Sequence, residues 1–559
     1  MTSTVWNART RGVGTAALLI AVGLYLALAL PHLSRPGLYY DEALQAPAAI
    51  RLLGQDPHRG LDLPRGISLL GRELPVMTMS YLGAPKSYLI AAAFVIGGVS
   101  VESLRLLGVA VGVITVALTA CLAWRLSGWL AGAIGGMLLA SDPAFVLHTR
   151  TDWGPVALAA VLRVGAMLAL AAWLDSGRSR WLVLGAWLLG LAVYDKASAL
   201  WLVLALGLVG ILAWLAFRWR PGPRPLALAA GAFVLGSAPF WLWNAFNDWA
   251  AFRFAARGNL GGGIASTDLA SLLAAASDRP RLLGEMLSGG GMDVLQFGTT
   301  IDRPLWLSAQ VPLLVLAMGL SLWSSFRDGA WAACFRRLWL GPLLALIVFA
   351  QMLASPLAIW QHHLIGLYPL PQLFIGAAAG ELARDRRTDR WTPPRAALSL
   401  GLVWALVANI LLMGEYHGLM TSWGGAGNWS PVIGDVASVL QEELRGRTVQ
   451  TLDWGAAYPL MVYSGGAVRI EELWVRLREG DRAALARREL RDPANVFLLR
   501  EPGRENFPGP AATFWQAAQA DGRRPCLERV FTDTDGRPLY RLYAFGGCPQ
   551  AARQDEEWR

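Results

Sequence analysis

The chain has 559 residues, of which 55% are hydrophobic and only 16% charged, and its mean hydropathy is +0.40. A soluble domain carries about 25% charged residues, so the composition excludes a disordered chain, a collagen-like chain and an ordinary cytosolic enzyme. The net charge of +9 would point to nucleic acid in a soluble protein; here only two of the 49 basic residues are lysines, Lys86 and Lys196, and the meaning of the charge depends on where it falls.

A membrane-crossing helix needs about 20 apolar residues. Eleven segments qualify or come close: 13–31, 104–124, 129–147, 155–174, 181–194, 197–217, 225–243, 307–325, 338–355, 360–380 and 396–413. The 26 Trp suit a protein with a large membrane-interface surface. The apolar stretch 86–99 is too short to cross and is read as a juxtamembrane helix in the interface, held by Lys86 and Tyr88. On that reading Arg9, Arg11, Arg125, Arg178, Arg180, Arg218, Arg220, Arg224, Arg327, Arg336, Arg337, Arg384, Arg386, Arg387, Arg390 and Arg395 all fall on one side. The positive-inside rule makes that side cytoplasmic. The N-terminus is then cytoplasmic, and the first span is an uncleaved anchor in a bacterial inner membrane.

Residues 1–413 form the transmembrane domain, with two long periplasmic segments, 32–103 and 244–306. Residues 414–559 are more charged and lack long apolar runs. Strands are expected at Val449 to Asp453 and Asn495 to Arg500, helices at 434–445 and 481–491, and a hairpin at Phe531 to Phe545 around Asp535-Gly536. This tail is read as a small periplasmic α/β domain. Cys526 and Cys548 flank the hairpin, and a disulfide between them suits an oxidising compartment. Cys121 and Cys334 read as inert packing residues.

The sharpest chemical feature is Tyr39-Tyr40-Asp41-Glu42-Ala43, just beyond the first span. Two adjacent carboxylates at a membrane interface are costly to desolvate. Either they stay solvated, with Asp41 capping a helix, or they have a task. Both lysines fall on the predicted outer face, against the positive-inside bias. They either snorkel or bind an anion, and Arg105 and Arg150 share that face. Arg150 either holds phosphate through its forked guanidinium or pairs with Asp152. His362 and His363 lie at the outer end of the tenth span, as hydrogen-bonding residues or substrate contacts. Tyr39, Tyr40 and Trp153 stack on a sugar or join the aromatic belt, with the belt favoured for Trp153 and Trp360.

An acidic pair just after the first span resembles the hallmark of GT-C membrane glycosyltransferases. The likeness is greatest to the protein O-mannosyltransferase-like group, glycosyltransferase family 39, which includes the aminoarabinose-to-lipid A transferases and the RgtA/B/C/D-like enzymes. Further segments resemble that group in order and spacing: Tyr81 to Tyr88 with its proline, Leu104-Arg105-Leu106, Ser141 to Asp152, Leu191 to Lys196, and His362-His363 through Tyr368-Pro369. They cover residues 10–415. The double proline usual before the second span is missing, and Gln361-His362-His363 stands where Arg or Tyr is common.

The resemblance implies an α-helical polytopic membrane protein of GT-C type that moves a hexosyl or pentosyl group from a polyprenyl-phosphate-linked donor to a periplasmic glycolipid, polysaccharide or protein acceptor. An acceptor hydroxyl has a high pKa, so a carboxylate must take its proton as the bond forms, and Asp41 is the candidate base. A single displacement implies inversion. Glu42 orients the acceptor or binds a metal, and Asp152 is a second acidic contact. Lys86, Arg105, Arg150 and Lys196 would meet the leaving phosphate, with His362, His363 and Tyr40 contacting substrate. No metal-ligand motif is present, which leaves a divalent cation open. The alternative is a multi-pass lipid or solute transporter, but transporter sites lie near the bilayer midplane, and these polar residues gather at one surface. No phosphate-binding glycine loop points to ATP-driven transport.

Overall fold

The computed structural model describes residues 8–55, 66–69, 72–217, 222–257, 269–328, 340–355, 359–384, 393–478 and 482–546. Each of the eleven expected apolar segments contains helix among its described residues, but they are not equal. Among the described residues six helices are long and apolar enough to cross a membrane: Gly12–Ala29, Val101–Ser127, Ala157–Ser176, Ala197–Leu215, Pro223–Phe246 and Pro393–Ser422. Trp129–Ser141 and Pro143–Thr151 pass the same test only together and meet at 63°, the geometry of a broken span or a re-entrant loop. Asp142 makes that break: it ends the first helix in an extended conformation and caps the second, accepting from the Phe145 N–H at 3.2 Å.

The remaining expected spans are short or interrupted. Ser179–Asp195 has 17 residues and Leu340–Ala354 has 15, about 26 and 22 Å at 1.5 Å per residue against a hydrocarbon core of about 30 Å. Gln310–Asp328 is apolar only as far as Trp323. The segment expected at 360–380 is Gln361–Leu364, a tight turn at Ile365–Leu367, and then Leu370–Arg384.

The 86–99 stretch is a 13-residue helix, Pro85–Gly97, opened by Pro85 and closed by Gly98 with φ +76°. Its buried side carries Lys86, Ser87, Ile90, Ala91 and Phe94, while Val95 and Ile96 are exposed. Lys86 therefore points inward and does not snorkel, which corrects its reading as an interface anchor. Cys121 is corrected as well: it is an exposed free thiol on the Val101–Ser127 helix, not a packing residue. Cys334 lies outside the described residues. Cys526 is disulfide-bonded, and its expected partner Cys548 lies outside the described residues.

Four short strands, β1 (Ile67–Leu69), β2 (Arg72–Leu74), β3 (Met77–Met79) and β4 (Leu82–Gly83), form two small hairpins in the first long loop. The C-terminal region builds a five-stranded sheet from β5 (Thr448–Thr451), β6 (Arg469–Glu471), β7 (Asn495–Arg500), β8 (Leu527–Thr532) and β9 (Pro538–Ala544), in the order β6-β5-β7-β9-β8. β5 runs parallel to β6 and β7, and β9 antiparallel to β7 and β8. β6 was not expected, because three residues with one apolar side chain carry no periodic signal. The expected helices appear at Val432–Glu442 and Arg482–Arg491.

One face of this sheet shares an apolar core with the loop after the first helix. Leu38, Tyr40, Ala43 and Leu44 pack with Val436, Val449, Tyr458, Leu460 and Ile470. The other face is covered by Leu490, Phe514 and Ala518 from the Arg482–Arg491 and Pro510–Ala520 helices.

Helix crossings inside the bundle depend on small residues. A Cβ on Gly236 would stand 2.6 Å from the Trp187 carbonyl oxygen, and one on Gly190 would overlap the Phe233 carbonyl oxygen. Gly190→Val should force the Ser179–Asp195 and Pro223–Phe246 helices apart, at an overpacking cost of about 1–3 kcal/mol. Thermal unfolding of the detergent-solubilised protein checks this; an unchanged midpoint would show that the crossing has room to spare.

Candidate active site

The loop that follows the first helix is pinned by one arginine. Arg105, on the second turn of the Val101–Ser127 helix, donates from Nε and Nη2 to the two oxygens of Glu42 at 2.6 and 2.9 Å. Its other N–H groups reach the carbonyls of Leu33, Pro36 and Gly37 at 2.9, 2.8 and 3.4 Å. A guanidinium has five donors, and all five are used here. Arg105 thus has none left for a phosphate, and Glu42 has both oxygens engaged by the fork. Burial raises the Glu42 carboxyl, and Arg105 pulls it back.

Arg150 also binds the loop, donating to the carbonyls of His32 and Arg35. Its Nε and Nη1 find no partner among the described residues. No ion pair with Asp152, which is held by Lys86, is among its contacts, and the two unpartnered nitrogens are the donors that the expected phosphate contact would use.

Asp41 is thereby presented to a cluster of charges drawn from four segments. Lys86, in the first turn of its helix, forms a buried ion pair with Asp152. Asp152 sits in a left-handed conformation, φ +44°, and its Oδ1 accepts the N–H groups of Val156 and Ala157 at 2.7 Å each, opening the Ala157–Ser176 helix. Lys196 occupies the break after the Ser179–Asp195 helix. The Ala197 N–H, 3.0 Å from the Tyr81 carbonyl oxygen, and a bridge from Lys196 to Leu82 tie that break to the β3–β4 hairpin. The Lys196 ammonium donates to the Gly154 carbonyl and lies in the field of Asp152, Asp195, Asp41 and Arg163. Both lysines of the chain are 5% exposed or less.

Burial pushes the Asp41 carboxyl up to about 6, against the pull of Lys196 and Trp153. Burial likewise pushes the Lys196 ammonium down to about 8, against the pull of Asp152, Asp195 and Asp41. A carboxylate whose pKa is raised, yet which is still charged near neutrality, is the kind of group that can take a proton.

Aromatic rings close over this cluster. Trp153 is buried, not in a membrane belt; its ring lies 4.6 Å from His362, 5.9 Å from His148 and 6.2 Å from Tyr39. His362 crowds Gly154, whose φ of +72° and lack of a Cβ admit the ring. His362 Nδ1 and His148 Nε2 are buried without partners among the described residues. His363 instead accepts the Trp360 N–H at Nδ1, 3.2 Å away, capping its own short helix. Tyr40 is buried with its hydroxyl on Glu472, at 3.2 and 3.1 Å, and stacks on Tyr458, so it has no face for a sugar. Tyr39 stacks on Trp429 at 4.7 Å.

Sequence reasoning missed Asp195, Arg163, Trp429, Trp454 and Glu472. The rarity of lysine could have drawn attention to Asp195 beside Lys196; nothing local marks the others. Among the described residues no three of His, Cys, Asp and Glu converge as a metal-holding group.

Removing Arg105 would leave Glu42 buried without its cation. Arg105→Ala should destabilise the fold by about 3–5 kcal/mol, and Arg105→Lys should fail to restore it, because an ammonium cannot reproduce the planar fork. Thermal unfolding in detergent reads both; wild-type stability in the alanine variant would show that the loop is held elsewhere.

No protein-family model matches the sequence, and no curated protein matches it closely enough to count. Solved structures do. The chain is similar to ArnT from Cupriavidus metallidurans in the apo state, with a TM-score of 0.59 and 14% identity, over 97% of this chain and 100% of that one. It is similar to the same protein bound to undecaprenyl phosphate, with a TM-score of 0.55 and 12% identity, over 97% and 98%. At such identities the likeness is one of fold alone: a bundle of apolar helices carrying a small C-terminal sheet region.

Proposed function

We propose that this chain is an integral membrane glycosyltransferase that moves a sugar from a polyprenyl-phosphate-linked donor to a periplasmic acceptor, with inversion and with Asp41 as the base. The observation that carries the reading is the convergence of both lysines of a 559-residue chain, buried, on the carboxylate cluster that includes Asp41. Support also comes from the neighbouring ArnT structure, which holds undecaprenyl phosphate.

In this mechanism an acceptor oxygen forms a bond to the anomeric carbon while the bond from that carbon to the phosphate oxygen breaks. The acceptor proton passes to Asp41, and the phosphate keeps the electron pair. Lys196 and Lys86 stabilise the charge that gathers on the leaving oxygen. Asp152 holds Lys86 until the phosphate competes for it. Residues 1–413 are the membrane portion and 414–559 the portion outside it, although the Pro393–Ser422 helix runs past that boundary. The sheet region then faces the periplasm of a bacterial inner membrane, and the N-terminus faces the cytoplasm.

Asp41→Asn should lower sugar transfer by roughly 10²–10⁴-fold with the yield of folded protein unchanged. Wild-type transfer by that variant removes Asp41 as base. Substrate flux in liposomes with no new glycosidic bond, from any polyprenyl-phosphate sugar tried, would replace the enzyme with a transporter.

The pH profile follows from two opposite shifts. Asp41 acts deprotonated, so kcat/KM should rise as pH passes about 6. Lys196 acts protonated, so kcat/KM should fall as pH passes about 8. A profile flat from pH 5 to pH 7 would contradict the first assignment. Lys196→Ala and Lys86→Ala should each raise the KM for the donor by roughly tenfold or more, the loss of about 1.5–3 kcal/mol expected for a charge-assisted contact, and Lys196→Ala should also lose the alkaline limb. An unchanged donor KM in both variants would reject the phosphate role.

A further inference from the structure

The loop that carries Asp41 is gripped residue by residue by the C-terminal region. The Gly37 N–H donates to the Gly424 carbonyl at 3.2 Å, and the Leu38 N–H to the Tyr463 hydroxyl at 3.3 Å. A Cβ on Gly37 would overlap the Ser430 backbone. Tyr39 lies on Trp429 at 4.7 Å and meets the edge of Trp454 at 5.7 Å. Tyr40 stacks on Tyr458 at 4.2 Å and leans on Trp454 at 4.8 Å. Its hydroxyl donates to Glu472, whose carboxylate also receives the Trp474 indole N–H at 3.0 Å. Glu472 is 3% exposed.

Four consecutive residues are thus fixed from the far end of the chain, and the fifth is Asp41. A buried carboxylate is expensive unless it is hydrogen-bonded. Among the described residues Glu472 has only these two neutral donors and no cation. A pure packing role would be met more cheaply by an apolar side chain. What Glu472 adds is direction: an acceptor that sets where the Tyr40 hydroxyl, and with it the backbone leading into Asp41, must lie.

We propose that the C-terminal sheet region is a positioning element of the active site, and that Glu472 is a positioning residue acting on Asp41 through Tyr40. The proposal rests on the base role given to Asp41 above. It assigns the tail a task inside the reaction. A misplacement of about 1 Å can cost about 10²-fold in rate, so the tail sets the turnover number and leaves donor affinity to the two lysines.

The test uses the full-length purified protein. Glu472→Ala should lower kcat by about 10- to 100-fold with the donor KM within about twofold of wild type. Glu472→Gln keeps an acceptor oxygen and should recover most of kcat. Tyr40→Phe keeps the ring stack, should fall as far as Glu472→Ala, and the double variant should fall no further. Amide exchange across residues 37–42 should quicken in Glu472→Ala. If the alanine variant does not fold, Tyr40→Phe and Glu472→Gln carry the comparison. Wild-type kcat together with unchanged exchange in Tyr40→Phe would overturn the proposal, as would a fall in kcat matched by an equal rise in KM. Full transfer by Asp41→Asn would instead sink the base assignment, and the exchange measurement would still decide whether the tail holds the loop.

Discussion

Taking a charge out of water at the edge of a membrane is costly unless the charge is met by partners of the right number and geometry. The Arg105–Glu42 pair satisfies this on both sides. Glu42 gives both oxygens to one guanidinium, and Arg105 spends its remaining donors on three carbonyls of residues 33–37. The pair therefore acts as a fastening, binding the first loop to the start of the Val101–Ser127 helix. Adjacent residues of a chain seldom share a direction, and with Glu42 committed to the helix its neighbour Asp41 is left for the cluster of lysines and aspartates. The acidic pair thus divides its labour: one carboxylate is structural and the other faces the site.

The same division explains what could be read in the sequence. Apolar runs mark the helices, because hydrocarbon tolerates few alternatives to a helix. The lengths of the weaker spans were less legible: whether 15 or 17 residues cross depends on tilt and neighbours, which no local window contains. Asp41 and both lysines stood out, since two adjacent acids near a membrane and two lysines among so many arginines are compositional anomalies. Arg105 stood out for the same reason and was given the wrong work, and Arg150 was offered a partner, Asp152, that belongs to Lys86. Their partners are mainly backbone carbonyls, and a carbonyl has no residue type to be read.

Glu472, Trp429 and Trp454 lay beyond reach for a different reason. Tyr40 and Glu472 are separated by 432 positions, and neither stretch of sequence marks the other. The tail reads by itself as an independent α/β domain. Only the packing of Leu38, Tyr40 and Leu44 against Val436, Val449 and Ile470 joins it to the first loop. A contact of that span exists only once the helical bundle has brought residues 30 and 420 to the same surface, as the bond from His417 to the Leu28 carbonyl records.

The charges in the site carry the argument one step further. Asp41, Asp152 and Asp195 face Lys86, Lys196 and Arg163, three carboxyl groups among three cations. An arriving phosphate tips this balance toward negative. Every remaining carboxylate then binds a proton more tightly, and Asp41, already raised by burial to about 6, becomes a stronger base at the moment an acceptor hydroxyl is presented. In the proposed mechanism Asp41, once it holds the acceptor proton, offsets the charge added by the departing phosphate. On the proposed mechanism the donor therefore helps to activate its own acceptor, and the near-neutral cluster holds the base weaker until a lipid phosphate has entered.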